Sequence, residues 1–455
     1  MRTVVAKFGG TSLADAQQIR KTGKIILSDP DRRYIVVSAP GKRSSKDSKV
    51  TDLLLRCYEA AVKGTDYEQD LQLVQERFRE MAEELELDLK ISEKIEPLRA
   101  YLAETAGAGK DRKCDPYWME TRKAYIVSRG EYLNARLMAA YLDYTFVDPE
   151  WCVCFEENGK LNLPMTLRTL GASLRPLKNA VIAGFYGADM KGTIHTFSRG
   201  GSDVTGSLAA AAVRADLYEN WTDVSGLLAA DPRIVDSPKS VRYVSYRELR
   251  TLSYMGASVL HTDAVLPVSD LDIPINIRNT DRPEDAGTMI VRKLPSGETK
   301  YPIIAVAGRI GMSVIQVEKV MVSDESGFTA VMLDILKNRQ LPFEQCLTGI
   351  DTVTLVIRSD LLATCKEDLF EEIRSKLDPD FLGLTENLAM IAVIGEKGTE
   401  SSDANVRVLR SLTEAGILIS TINQGAGKLN LLIGVQEEKY EEAVRTIYAA
   451  IEEAL

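Results

Sequence analysis

Two short stretches carry residue types suited to one kind of chemistry. Lys7-Phe8-Gly9-Gly10-Thr11-Ser12 follows an apolar run, Thr3 to Ala6, and precedes a helix expected to open near Ser12. Ser198-Arg199-Gly200-Gly201-Ser202-Asp203 precedes Val204 to Ala215, which is alanine-rich and strongly helix-favouring. Paired glycines leave backbone N–H groups bare, and a helix N-terminus adds a positive dipole end, so each junction suits an anion, above all a phosphate. One Gly-Gly turn before a helix is usually only a tight connection. Two of them, one with Lys and the other with Arg and Asp, point to a polyphosphate held from both sides.

The elements that must position these turns read as alternating strands and helices. Thr3 to Phe8 and Tyr34 to Ala39 flank a helical stretch from about Ser12 to Leu27. Nearly continuous apolar strands in that order argue for a parallel sheet covered on both faces. The second strand ends at Ser38-Ala39-Pro40-Gly41, followed by the basic loop Lys42 to Lys49 and a helix starting near Thr51. Ligands in such sheets sit beyond the carboxyl ends of the strands, so this loop is expected beside Gly9 and Gly10. From Asp66 to about Ala106 the chain reads as helical and acidic, with Leu71, Val74, Phe78, Met81 and Leu85 forming an apolar stripe that packs on its own domain. Tyr125 to Val127 precedes Ser128-Arg129-Gly130-Glu131 and a helix from Tyr132 to Leu142, where Glu131 reads as a first-turn carboxylate. Asn179 to Phe185 and Leu217 to Trp221 are further strands, the latter ending in Thr222-Asp223, and Tyr246 to His261 is a helix.

Beyond a linker at Leu294 to Pro302 the pattern changes. Strands at Met312 to Glu318, Phe343 to Leu347 and Thr352 to Ile357, with helices at Gly327 to Arg339 and Lys366 to Leu377, are followed by a similar series from Leu388 to Glu453. This is the βαββαβ order of small ferredoxin-like domains, twice over. Whether the two are sequential or interleaved, with a strand at Ile303 to Ala307 given to either, is left open.

The 455 residues exceed one typical core, and 56 basic against 66 acidic side chains give a net charge of −10, with no sign of nucleic-acid or membrane affinity. Six scattered cysteines make no disulfide framework, and two histidines, His195 and His261, exclude a His-rich metal site. No signal-peptide pattern or membrane-length apolar run occurs, and a cytoplasmic protein is expected.

KFGGTS, SRGE at Ser128 to Glu131, GFYG at Gly184 to Gly187 with SRGGSD, and WTDVSGLLAADPR at Trp221 to Arg233 together resemble the aspartokinases of the amino-acid kinase superfamily, in order and over nearly the whole chain. The resemblance implies an α/β amino-acid kinase fold, a mainly parallel sheet sandwiched by helices, over residues 1–296, and ferredoxin-like ACT domains over 297–380 and 381–455. It implies conversion of ATP and L-aspartate to ADP and 4-phospho-L-aspartate, the first step of lysine, threonine and methionine biosynthesis. The β-carboxylate of aspartate is already ionised near neutral pH, so no general base is required. The reaction instead needs relief of charge repulsion.

By resemblance Lys7 neutralises the transferred phosphoryl group and Asp203 holds the lysine and amides in place. Lys7, Phe8, Gly9, Gly10, Gly200, Gly201, Thr222, Asp223 and Arg233 line the nucleotide site, with Mg²⁺ carried on ATP and no protein-held metal. Glu131 meets the substrate ammonium, Arg199 pairs its fork with the α-carboxylate, and Thr51 and Ser202 add hydrogen bonds. Several family members carry lysine and tyrosine where Ser258 and Leu228 stand here; Lys46 and Lys49 are expected to supply charge to ATP in compensation. The tail is expected to sense lysine or threonine through Ser326, Gly327, Phe328, Asn423 and Gln424, in a homodimer or a homotetramer. The rival readings are another amino-acid kinase, acting on glutamate or acetylglutamate, and a catalytically inactive amino-acid sensor. A fused homoserine dehydrogenase is not expected, because no dinucleotide-binding segment follows the tail.

Overall fold

The computed structural model describes residues 2–108, 115–198, 200–256, 260–295, 303–320, 327–395, 402–424 and 430–452. The chain forms two compact units. One comprises Met1–Leu227, Arg242–Tyr246 and Val259–Leu294, the other Leu228–Val241, Arg247–Ser258 and Pro295–Leu455.

Along the chain the first elements are β1 (Val4–Phe8), α1 (Ala16–Leu27), β2 (Arg32–Val37), α2 (Val50–Lys63), α3 (Glu68–Glu84), α4 (Ile91–Thr105), α5 (Pro116–Leu142), β3 (Thr145–Val147), α6 (Leu163–Leu174) and β4 (Ala180–Ala183). A hairpin of β5 (Tyr186–Ala188) and β6 (Ile194–Thr196) leads to α7 (Gly201–Val213) and β7 (Leu217–Thr222). Then come β8 (Leu227–Leu228), β9 (Ser240–Val241), β10 (Tyr243–Ser245), α8 (Tyr246–Tyr254), α9 (Leu266–Ser269), β11 (Ile275–Asn279) and β12 (Thr288–Val291).

Eight of these strands make the sheet of the first unit, in the order β10-β12-β11-β7-β1-β2-β4-β3. Every pairing is parallel except β11 with β12. All of β1 is buried, as expected of a strand covered on both faces. Phe8 lies opposite both Val37 and Trp221, and Val37 opposite Ala183, so the carboxyl ends of four strands finish level and their following loops crowd one edge.

Several boundaries differ from expectation for local reasons. Gly10–Leu13 makes a single 3-10 turn, and α1 begins only at Ala16, where the Asp15 side chain accepts the Gln18 N–H at 2.9 Å and caps it. The helix expected from Tyr132 begins far earlier, because α5 runs unbroken for 27 residues from its Asp115 cap and Pro116 to Asp143, whose left-handed backbone ends it. Glu131 therefore stands in mid-helix and owes nothing to a helix N-terminus. α7 opens at Gly201, three residues before the expected Val204, so Ser202 and Asp203 belong to its first turn. α8 stops at Tyr254, short of His261.

The second unit carries β13 (Ala305–Glu318), α10 (Phe328–Asn338), β14 (Gln345–Thr348), β15 (Thr352–Arg358), α11 (Ser359–Leu362), α12 (Lys366–Leu377), β16 (Phe381–Ile394), α13 (Ser402–Glu414), β17 (Ile419–Gln424), β18 (Asn430–Gln436) and α14 (Tyr440–Glu452). Six strands form one antiparallel sheet, β14-β15-β13-β16-β18-β17. β13 and β16 pair along their length, with register shifts around Met312. Met312–Glu318 pairs with β15, and Leu388–Ile394 with β18. One βαββαβ set thus uses the second half of β13. The other takes Ala305–Arg309, from ahead of the first set, as its fourth strand beside Met390–Ile394. Among the described residues no helix is long and apolar enough to cross a membrane.

Candidate active site

Lys7 is the next-to-last residue of β1, and its register partner on β7 is Asn220. Opposite residues of neighbouring strands share a face, and the Lys7 Nζ lies 3.4 Å from the Asn220 Oδ1. It also meets the Asp203 Oδ1 at 2.6 Å, while Asn220 Nδ2 donates to the same carboxylate oxygen at 3.1 Å. Lys7 is buried, so its ammonium is held by a carboxylate on the first turn of α7 and an amide on β7. That triangle joins the first glycine turn to the second.

Both turns have backbone geometry that side chains would spoil. Gly10 accepts the Gly41 N–H at 2.8 Å, and a Cβ on Gly10 would fall 2.8 Å from the Ala39 carbonyl oxygen. Gly200 caps α7 with φ +57°, and a Cβ there would fall 2.5 Å from that of His261. On Gly201 it would meet Phe185 at 2.7 Å. Gly9 has its nearest neighbours at 3.6 and 3.7 Å, the latter being the Lys7 Nζ. Its lack of a side chain is therefore not demanded by packing.

Glu131 and Asn134 project from consecutive turns of α5 onto the end of β2. Asn134 donates from Nδ2 to the Ser38 carbonyl at 2.6 Å. The Ala39 N–H reaches the Glu131 carboxyl, yet burial pushes that group up to about 8. Glu131 Oε2 and Asn134 Oδ1 are buried without a hydrogen-bond partner. A buried carboxylate oxygen left open is costly, and a cationic ligand such as an ammonium would satisfy it.

These features match what the chain is similar to. Residues 2–279 match the amino acid kinase family, and residues 391–451 match the ACT domain. Aspartokinase 3 of Bacillus subtilis is 36% identical, over 98% of this chain and 97% of its own. The chain belongs to the aspartokinases of the amino acid kinase family. The crystal structure of Clostridium acetobutylicum aspartate kinase, described as an allosteric enzyme, shares 39% identity and a TM-score of 0.86, covering 99% of this chain and all of that one. Escherichia coli aspartokinase III in complex with lysine and aspartate shares 25% identity and a TM-score of 0.73, covering 98% of this chain and 99% of that one.

The remaining expected residues of this aspartokinase fall in varied places. Phe8 is fully buried and stacked on Trp221 at 5.8 Å, so its side chain belongs to the core. Ser202 is buried against Gly184, where an added Cβ would lie 2.6 Å from that of Ser202. Thr51 is half-buried in the first turn of α2. Thr222 ends β7 and donates its hydroxyl to the exposed Asp223 at 3.1 Å. Lys46 and Lys49 are exposed. Arg199, Ser258 and Ser326 lie outside the described residues. Arg233 and Leu228 belong to the second unit, where Arg233 is paired with Asp231 at 2.6 Å. Gly327 caps α10 with φ +102°, Phe328 is packed in the core below it, and Asn423 donates to Gln345 at 3.3 Å, with Gln424 closing β17.

Asn220 and Asn134 escaped the sequence reading. Asn220 had a signal: a lone amide inside the buried strand Leu217–Thr222, in the run that ends at Thr222-Asp223. Asn134 had only its helical spacing from Glu131, which was obscured by starting the helix too late.

Proposed function

We propose that this chain transfers the γ-phosphoryl group of ATP to the β-carboxylate of L-aspartate, with the roles set by the triangle of Lys7, Asp203 and Asn220. The observation that carries this reading is the 2.6 Å Lys7–Asp203 pair, which places one buried cation between two glycine turns. Lys7 neutralises charge on the transferred group, the Gly10, Gly200 and Gly201 amides cradle phosphate oxygens, and Asp203 with Asn220 orients the ammonium; Gly9, whose own N–H donates to the Trp221 carbonyl at 3.1 Å, leaves open space beside Lys7. Glu131 binds the substrate ammonium through its open oxygen, aided by Asn134, and Arg199 takes the α-carboxylate, with Thr51 and Ser202 beside it. Thr222 and Asp223 complete the nucleotide contacts. Mg²⁺ belongs to the proposal as part of the nucleotide, where it would lower phosphate charge.

The catalytic domain is taken as residues 1–296 and the ACT pair as 297–455, its two sets interleaved through β13 and β16 rather than divided at residue 380. A pathway amino acid, lysine first, is proposed to bind the tail and lower activity, in keeping with the allosteric Clostridium relative and the lysine-bound Escherichia one. The five described cysteines are free thiols, in keeping with a reduced, cytoplasmic setting. A homodimer is proposed, with a tetramer as the alternative. A coupled ADP-release assay tests the core of the reading: turnover with L-aspartate and none with L-glutamate is expected. Preference for glutamate would assign another amino-acid kinase, and no turnover with either would assign a sensor.

A further inference from the structure

α3 packs Leu71, Val74, Phe78 and Met81 into the core as its sequence implies, but Arg77 is buried among them. Its side chain is only 3% exposed, and every bond it makes reaches away from its own helix. Nη1 donates to the carbonyls of Gly41 at 3.2 Å and Ala14 at 3.4 Å. Nη2 donates to the Asp47 carboxylate at 2.6 Å and to the Ser48 carbonyl at 3.4 Å. Ala14 closes the turn that follows Lys7, and Gly41 to Ser48 is the loop that follows β2 and delivers Thr51 to α2.

Those two loops already interlock through the Gly41 N–H and the Gly10 carbonyl, where a Cβ on Gly41 would fall 2.7 Å from the Gly10 carbonyl carbon. α3 then grips the second loop at another point. Asp47 accepts from the Arg43 backbone and Nε at 2.9 and 3.1 Å, and Arg43 reaches Glu80, one helical turn beyond Arg77, at 3.2 Å. A planar guanidinium can serve acceptors in two loops at once because each Nη carries two N–H donors in fixed directions, and here Nη1 reaches both loops; a lysine ammonium offers a single point.

We propose that Arg77 is a positioning residue for phosphoryl transfer, clasping the Gly10 turn and the Gly41–Ser48 loop into one rigid cradle that sets where Lys7, the Gly10 amide and Thr51 stand. It touches no substrate. The inference rests on the reading of this cradle as the phosphoryl-transfer site, and wild-type turnover with aspartate tests that reading separately.

The deciding experiment compares steady-state kinetics and thermal melting of the wild type with Arg77→Lys, Arg77→Gln and the double variant Arg77→Gln with Asp47→Asn. Arg77→Lys keeps a cation beside Asp47, and the double variant removes the carboxylate that Arg77→Gln leaves short of a partner. In all three, kcat is expected to fall about 10- to 100-fold with KM changing little, since misplacement of a reacting group acts on the transition state. The double variant is expected to recover melting temperature relative to Arg77→Gln without recovering kcat. Wild-type kcat in Arg77→Lys would overturn the proposal, and so would recovery of kcat together with melting temperature in the double variant.

Discussion

Glu131 is a buried carboxyl with one oxygen unpaired, and in its proposed role its protonation would couple stability to substrate binding. Its pKa is pushed up to about 8 by burial, against an ordinary value of 4.5. A raised carboxyl holds its proton in the folded state longer than in the unfolded one. Its favourable contribution is therefore complete below about pH 4.5 and is lost as pH rises towards 8, at roughly 1.4 kcal/mol per pH unit. Ligand-free protein should melt at lower temperature as pH is raised across that interval, and Glu131→Gln should flatten this component of the slope. Aspartate acts in the opposite sense, because its ammonium favours the charged carboxylate. Binding near pH 7 should release a proton, seen as buffer-dependent heats in calorimetry, and KM for aspartate should fall as pH approaches 8. In Glu131→Gln that pH dependence disappears and KM rises on the order of 100-fold, the scale of losing one partner of a buried charge pair. The substrate role proposed for Glu131 was legible only through the family resemblance. Its residue type and assumed place at a helix start pointed to an ordinary dipole partner.

The strand-turn elements separate two reasons for a glycine. Gly10 and Gly41 are glycines because backbone passes within bonding distance of backbone, so Gly10→Ala should cost about 1–3 kcal/mol of stability and activity with it. Gly9 is different: its nearest neighbours lie at 3.6 and 3.7 Å, an ordinary contact distance. Gly9→Ala should melt close to wild type yet lose about tenfold in kcat/KM, because its methyl group would stand beside the Lys7 ammonium where a phosphate oxygen is to approach. Unchanged kinetics in that variant would remove the role of Gly9 as open space beside Lys7. Both glycines look alike in the string Phe8-Gly9-Gly10-Thr11. At the same scale α5 passes through Gly130, where only glycine fits because a Cβ there would meet the Ala39 side chain at 2.9 Å. Close packing of helix on loop compensates for the conformational cost of glycine in a helix.

In the molecule as a whole, β13 and β16 couple the two halves of the regulatory sheet. Ala305, Val306 and Ala307 are buried and pair in register with the end of β16, at Ile394, Val393 and Ala392, while the Val306 N–H donates to the Ala229 carbonyl at 2.8 Å. A chain ending after Asp380 should therefore expose an apolar edge and aggregate, visible as high-mass species in size-exclusion chromatography. A monodisperse product would contradict this topology. The sequence by itself determined the alternation of strands and helices, the two glycine turns, the repeated βαββ pattern of the tail and the family, because these rest on local propensity and on residues adjacent in the chain. Tertiary structure alone decided that Asn220 and Asp203 share the Lys7 ammonium, that Arg77 ties two loops together, and that Ala305–Arg309 joins the set of strands farther along the chain. Each of those depends on contacts between residues tens to hundreds of positions apart, and hydrophobic period and turn chemistry carry no information about which distant partner a buried polar group will find.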